Sequence, residues 1–496
     1  MLVSILVASV LAELLTSSVS LFWRFRKAIA SLLIIILGFS EGVIIASRLN
    51  VIGVFCALVV LYRLVNLFRI IEARMNEEYL RKAYRRTAAV LGLLQLIAII
   101  GLILPSASRI HQLPVLALAQ SVLSVGILLI TQRNIHKTRH LLAIENYSDK
   151  ELPTLSICIP ARNETDDLEA CLRSILANNY PKLEVLVLDD CPQENRTPEI
   201  IRGFAHDGVR FIKGTEPSEH WLAKNWAYQR LAEEASADLI LFCGVDVRFG
   251  STALRAFVTT MLAKRKSMIS VLPQGISASP LNSLIQSMRY WWELAPPRRF
   301  FNRPPVLSTC WIIKRKTLLK LGGFSAVSHS IIPEGYFARE LIKTEAYSFM
   351  RADKVLSIAS DKPFADQLST AVRMRYPQIR KRPEMALMMT LIEFIFLILP
   401  FCVLIVGIWH HIAPAVVNLE IITVLALLLT HISVIMATNP ASLLFGVLTF
   451  PLSLIMENLL GNYSMLKYEF STVVWKDRNI CIPVMHVVPR LPELKP

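Results

Sequence analysis

LSICIPARNET (155–165), LEVLVLDDC (183–191), VRFIKG (209–214), WLAKNWA (221–227) and LILFCGVDVRF (239–249) follow one another in the middle of this chain. Four of the five contain β-branched, strand-like runs, and between them lie helical patterns such as DDLEACLRSILAN (166–178) and KNWAYQRLAEEA (224–235). Strands alternating with helices predict βαβ units and a mostly parallel sheet. Ligands of such open sheets bind outside the carboxyl ends of the strands. Arg162, Asn163 and Glu164 follow the first strand, Asp189 and Asp190 close the second, and Asp246 stands just past the fourth.

Outside this stretch the composition changes. The 496 residues are 54% hydrophobic with a mean hydropathy of +0.48, more than one soluble core requires. Apolar runs near the ~20 residues that cross a bilayer occur at Met1–Trp23, Ala28–Ser47, Val51–Phe68, Ala88–Leu104 and Leu113–Thr131, and again at Ala386–Trp409, Ala413–Ala437 and Leu443–Leu460. Met1–Trp23 lacks the basic start of a cleaved signal and reads as an anchor helix. WRFRK (23–27), the segment Arg69–Arg86 and QRNIHKTRH (132–140) are basic, and basic loops stay in the cytoplasm. Five N-terminal helices in residues 1–140 then deliver a cytoplasmic domain at 150–385, followed by transmembrane or re-entrant helices at 386–470 and a cytoplasmic tail at 471–496. The net charge of +15 follows from juxtamembrane Lys and Arg meeting anionic headgroups. No nucleic-acid module accompanies it, so a nucleic-acid partner is not expected. Eight scattered cysteines without a CxxC pair predict neither disulfide framework nor zinc site.

The motifs resemble those of the family 2 glycosyltransferases, whose fold is the GT-A type of α/β domain. PARNE (160–164) is similar to the family's P-x-x-N-E loop and LDDC (188–191) to its D-D turn. WLAKNWA is similar to the W-x-G-K-x-W-A segment of membrane members that act on lipid-soluble acceptors. GVDVRF (244–249) stands where they have D-A-D-V-x-F, LGGF (321–324) and PEG (333–335) where they have G-G-F and E-D, and VWKDR (474–478) where W-K-G-R closes the chain. The resemblance implies an integral membrane hexosyltransferase of the cell envelope, in the plasma membrane. It would move a sugar from a nucleotide sugar to a lipid or lipid-linked acceptor at the cytoplasmic leaflet, with inversion. It implies nucleotide-sugar contacts from Pro160, Arg162, Asn163, Glu164, Asp189, Asp190, Lys224, Arg375, Trp475, Lys476 and Arg478.

The chemistry of such a transfer asks for these residue types. A departing nucleoside diphosphate gathers negative charge, which a hard Mg²⁺ or Mn²⁺ on carboxylate oxygens offsets; Asp246 is the candidate ligand. Lys224 supplies a second positive charge, and Asp190 with Asp189 can accept hydrogen bonds from a base or ribose. A general base must take the acceptor's proton, and Glu334 is the candidate. The same residues also suit a turn after a strand for Asp189 and Asp190, a solvated helix charge for Lys224, and a helix N-terminal acid for Glu334. The chain departs from the family at Gly244 and Gly335, both places of acids. If the second loss limits activity, Gly335→Asp should raise it. Those departures keep open a non-catalytic nucleotide-sugar-binding scaffold or sensor. A processive polysaccharide synthase is a further alternative, although no Q-x-x-R-W segment is visible.

Two further segments carry expectations. Tyr290, Trp291 and Trp292, with Arg298, Arg299 and Arg303 close behind, fit a stretch at headgroup level where a lipid could enter. Pro400 and Pro451 interrupt apolar runs, and a hairpin or re-entrant element around Pro451 would return the tail to the cytoplasm.

Overall fold

The computed structural model describes residues 2–47, 51–71, 77–103, 109–138, 147–162, 166–190, 196–217, 221–276, 280–296, 304–353, 356–360, 362–409, 412–471, 473–475 and 478–480. The chain divides into two compact units: Met1–Val122 with Thr370–Val424 and Leu454–Val473, and Leu123–Ser369 with Leu425–Ser453 and Val474–Pro496.

The second unit holds the α/β domain. Its strands are β1 (Leu155–Ala161), β2 (Leu183–Asp189), β3 (Val209–Lys213), β4 (Leu239–Cys243), β5 (Val247–Phe249), β6 (Met268–Leu272), β7 (Gln274–Gly275), β8 (Cys310–Lys314), β9 (Tyr347–Arg351) and β10 (Ile358–Ser360). A seven-stranded sheet runs β3-β2-β1-β4-β8-β6-β9. Its neighbours are parallel except for β8, which is antiparallel to both β4 and β6. β4 and β6 are buried along their whole length, the continuous apolar reading of strands covered on both faces. Pro160 lies beyond the last β1–β4 pair, Cys158 with Phe242, so its missing N–H costs no bond to β4.

Register places the site. β1 and β2 pair from Leu155↔Leu183 to Ala161↔Asp189, and β3 joins with Asp189↔Lys213. Three strands therefore end together, and the residues just past them share one edge. A second sheet, β5-β10-β7, brings Ser360 opposite Val247 and Gly275. On one face of the large sheet Phe242 stacks on Trp311 at 4.6 Å and Trp311 on Phe337 at 6.1 Å, while Tyr228 meets Phe242 edge-on at 4.9 Å. Such pairs contribute about 0.5–1.5 kcal/mol each beyond area burial. They seat the helices Ala223–Glu234 and Pro333–Ile342 against the strands.

The chain has five helices long and apolar enough to cross a bilayer among its described residues: Arg26–Ala46, Ile52–Ile71, Leu113–Lys137, Pro383–Gly407 and Pro414–Thr438. A further pair, Pro440–Leu448 and Phe450–Phe470, is bent by 86° immediately before Pro451. Large apolar side chains face outward along them, Ile35, Phe39, Val115 and Leu129 among them, as lipid-facing surfaces do. These are the features of an integral membrane protein. The first apolar run forms the shorter helix Leu2–Ser18, and Ala88–Leu104 is mostly contained in a helix, Glu77–Ile103, that begins with charged residues. Glu13, which breaks the first run, is buried and paired with Arg63 at 2.9 Å. A removal of either partner would strand the other, a cost of about 3–5 kcal/mol.

Candidate active site

The donor end is built by backbone. Asp190 N–H donates to the Ala161 carbonyl at 2.8 Å and Gly214 N–H to the Asp189 carbonyl at 2.9 Å, while Arg162 Nη1 donates to the Asp190 carbonyl at 2.6 Å. The loops after β1, β2 and β3 are thus one bonded unit. Gly214 permits it: a Cβ there would stand 2.2 Å from the Asp189 carbonyl oxygen and 2.9 Å from Asp190 Cα. Asp189 and Asp190 are both buried. Burial, the Asp190 charge beside it and, in the opposite sense, Arg162 bring the Asp189 carboxyl up from 3.8 to about 6. Its Oδ1 has no hydrogen-bond partner among the described residues, an acceptor available to a ligand's N–H or O–H.

WLAKNWA forms the next wall. Leu222 N–H donates to the Ser328 carbonyl at 2.9 Å, and the buried Asn225 amide donates to the carbonyls of Val327 and Ser330, 2.8 Å each. Trp226 Nε1 donates to Thr215 at 3.1 Å, and its ring meets Trp221 at 5.4 Å. One helix N-terminus thereby ties the β3 loop to the turn that precedes Pro333. Lys224 Nζ lies over the Tyr228 ring, 5.2 Å from its centre.

Asp246 sits half-buried past β4. Its Oδ2 accepts a 2.7 Å bond from Ser360 Oγ. Its Oδ1 lies 2.5 Å from where a Cβ on Gly244 would be, so the carboxylate occupies the room that a side chain at 244 would need. Among the described residues no three His, Cys, Asp or Glu side chains converge to hold a cation. A divalent ion at this place would be held by Asp246. That set fits Mg²⁺ or Mn²⁺, which bind through one or two carboxylates and complete their shell with phosphate oxygens and water.

Glu334 opens the helix Pro333–Ile342 and is 1% exposed. Neither of its oxygens has a hydrogen-bond partner among the described residues, though the Ser308 hydroxyl is near enough to act on it without meeting full bonding geometry. Burial raises the carboxyl above the ordinary glutamate range; Lys224, its own N–H and Ser308 pull down, and Glu293 pushes up. Burial likewise raises the Tyr228 phenol, with the charges of Glu334 and Asp246 adding to it, so both carboxylates lie within electrostatic range of Tyr228.

Lys224 thus lies over Tyr228, with Glu334 and Asp246 within electrostatic range of that phenol, and Arg162, Asp189 and Asp190 lie at the strand ends. Arg375 belongs to the first unit, where it pairs with the buried Glu457 at 2.5 Å. Trp475 and Arg478 are in a two-stranded ribbon, Val474–Trp475 with Arg478–Asn479. Asn163, Glu164 and Lys476 lie outside the described residues, as do Arg298, Arg299 and Arg303. Tyr290 and Trp291 are core residues, not a headgroup belt: Trp291 is 2% exposed and stacks on Phe450 at 6.0 Å. A Cβ on Gly335 would face Ile332 at 3.3 Å and Val306 at 3.9 Å. An Asp introduced there starts against an apolar wall, so it is not expected to raise activity. Sequence reading missed Ser360, Asn225, Tyr228 and Gly214. Only Tyr228 left a local signal, one helical turn after Lys224.

Residues 156–322 match the family described as glycosyl transferase family 2, which bears out the resemblance read from the motifs. The α/β domain of this chain is a family 2 glycosyltransferase domain of the GT-A type. Among relatives, glycosyltransferase AglE of Haloferax volcanii is 32% identical over 99 residues, 19% of this chain and 31% of its own length. The probable glycosyltransferase YdaM of Bacillus subtilis is 27% identical over 203 residues, 39% of this chain and 46% of its own. The chain thus spans less than half the length of either relative. Among solved structures, the mannosyltransferase PcManGT from Pyrobaculum calidifontis, in complex with GDP-Man and Mn²⁺, aligns at a TM-score of 0.42 and 16% identity, over 71% of this chain and 96% of that one. S. aureus TarS aligns at 0.32 and 14%, over 46% and 39%.

Proposed function

We propose that this protein is a membrane glycosyltransferase that moves a sugar from a nucleotide sugar to a lipid or lipid-linked acceptor at the cytoplasmic leaflet of the plasma membrane, with inversion. The observation that carries the reading is Glu334: a buried carboxylate at a helix start, neither of whose oxygens makes a full hydrogen bond among the described residues, with Lys224 and the Ser308 hydroxyl near enough to act on it. An orphaned buried acceptor is costly, about 1–3 kcal/mol, unless a substrate hydroxyl supplies the missing donor. The acceptor oxygen forms a bond to the sugar's anomeric carbon, the bond from that carbon to the diphosphate oxygen breaks, and the acceptor's proton passes to Glu334. Asp190 and Asp189 receive the nucleoside, and Lys224 stands against the diphosphate. A divalent ion held by Asp246 would add charge stabilisation to the leaving group. The apolar helices support a lipid acceptor, and the basic segments near 69–86 and 132–140 support a cytoplasmic domain.

The donor half is tested by calorimetry with UDP or GDP and Mn²⁺. Asp246→Ala should weaken binding by about 1.5–3 kcal/mol, the range for a charged partner, and remove its dependence on the metal. An unchanged metal dependence contradicts the assignment.

A further inference from the structure

The chain turns sharply between β4 and β5. Val247 N–H donates to the Gly244 carbonyl at 3.3 Å, which closes a β-turn over residues 244–247, and Gly244 N–H is itself anchored on the Thr309 carbonyl at 3.0 Å. The turn folds the Asp246 side chain back over Gly244. Its Oδ1 stops 2.5 Å from where a Cβ at 244 would be, and apart from that carboxyl nothing beyond the adjoining residues lies within 4 Å of the position. Gly244 is not among the glycines of positive φ, so it is the Asp246 carboxylate, and not the backbone conformation, that leaves no room for a side chain there.

The other carboxylate oxygen is held from far along the chain. Ser360, buried, donates its hydroxyl to Asp246 Oδ2 at 2.7 Å. Its strand β10 is antiparallel to β5, the strand that Asp246 leads into, and parallel to β7. β7 is closely packed in turn: a Cβ on Gly275 would stand 2.7 Å from Gln286 Nε2 and 2.9 Å from Asn439 Nδ2. The hydroxyl therefore sits on a strand supported from both sides. Oδ1 lies at the end of a side chain and could swing away from position 244, but only by giving up the Ser360 bond. A ligand group whose rotation is already fixed by such a partner binds an ion without first having to be ordered.

We propose that Gly244 and Ser360 shape a one-carboxylate cation site around Asp246. Ser360 is the positioning residue, holding Oδ2 and thereby orienting the carboxylate, and glycine is required at 244 because Asp246 occupies its side-chain space. The use of the site rests on the transferase reading above. Even an acid introduced at 244 would compete with Asp246 for one space instead of adding a second ligand.

The test reads Mn²⁺ binding by paramagnetic resonance of the free ion, using the whole protein with UDP or GDP present, and metal-free nucleotide binding by calorimetry. Ser360→Ala should weaken Mn²⁺ affinity about 10–100-fold, the usual effect of removing a residue that orients a metal ligand. Metal-free nucleotide affinity and melting temperature should change little, and Ser360→Thr, which keeps the hydroxyl, should restore most of the loss. Gly244→Ala should lower Mn²⁺ affinity, and Gly244→Asp should not raise it above wild type. An unchanged Mn²⁺ affinity in Ser360→Ala, or a higher one in Gly244→Asp, overturns the proposal. So does a Ser360→Ala variant that loses metal-free nucleotide binding and melting temperature along with the metal, as a merely structural hydroxyl would. If wild type binds Mn²⁺ with this pattern and transfers no sugar, the transferase reading fails and the cation site stands; if it transfers sugar and binds no Mn²⁺, the site fails and the transferase reading stands.

Discussion

Replacing Gly214 by Ala adds one methyl group where three loops meet. The new Cβ would sit 2.2 Å from the Asp189 carbonyl oxygen and 2.9 Å from Asp190 Cα, the first more than about 1 Å inside an ordinary contact. Both neighbours are backbone, so no side chain can swing aside. Relief requires the D-D turn to withdraw, which breaks the 2.9 Å bond from Gly214 N–H to Asp189. The lost bond costs about 1 kcal/mol and the overpacking about 1–3 kcal/mol. Reduced freedom of the unfolded chain returns about 0.4–1 kcal/mol, for a net loss near 1–3 kcal/mol. Because the displaced residues are those assigned to the nucleoside, UDP or GDP affinity should fall about tenfold per 1.4 kcal/mol felt at the site. Calorimetry and a thermal melt read both quantities. A variant with unaltered nucleotide affinity and unaltered melting temperature would refute the close approach of β3 to the D-D turn as a determinant of the donor site.

Asp189, raised from 3.8 to about 6, contributes stability that is fully present below pH ~4 and is lost as pH rises through ~6. Asp189→Asn should flatten the melting temperature across that window and raise it at pH 7 while weakening nucleotide binding; a melting curve against pH that keeps its wild-type slope contradicts this. A cysteine-accessibility scan in intact cells should leave positions at Arg74 and Lys476 protected from an impermeant reagent and label Gln112, whereas labelling at Lys476 would put the tail on the far side from the donor.

The parts of the fold that a sequence shows best are those with a short period. β1, β2 and β4 were legible because their apolar runs are continuous and end in polar residues, and those ends carry Arg162, Asp189, Asp190 and Asp246. What stayed hidden depends on partners far along the chain. Ser360 bonds Asp246 only because β10 pairs with β5, and Asn225 reaches the carbonyls before Pro333 across more than a hundred residues. Gly214 reads as an ordinary turn residue, since its need is set by a neighbouring strand's carbonyl. The aromatic and arginine-rich stretch after 289 suggested a headgroup-level segment. Composition could not say which side of the helix Trp291 would occupy, and it turned inward against Phe450. Glu13 interrupts the first apolar run, and Arg63, fifty residues on, pairs with it.

The central claim is glycosyl transfer by a Glu334-centred site, and it is tested most directly by incubating the purified protein with radiolabelled nucleotide sugars, Mn²⁺ and a lipid extract, then counting label in the lipid phase across pH. Wild type should transfer label, with activity falling as pH drops through the raised carboxyl of Glu334. Glu334→Gln should bind nucleotide normally and transfer about 10²–10⁴ times more slowly. Nucleotide binding by wild type with no label transferred from any donor, or a Glu334→Gln variant as active as wild type, would contradict the account.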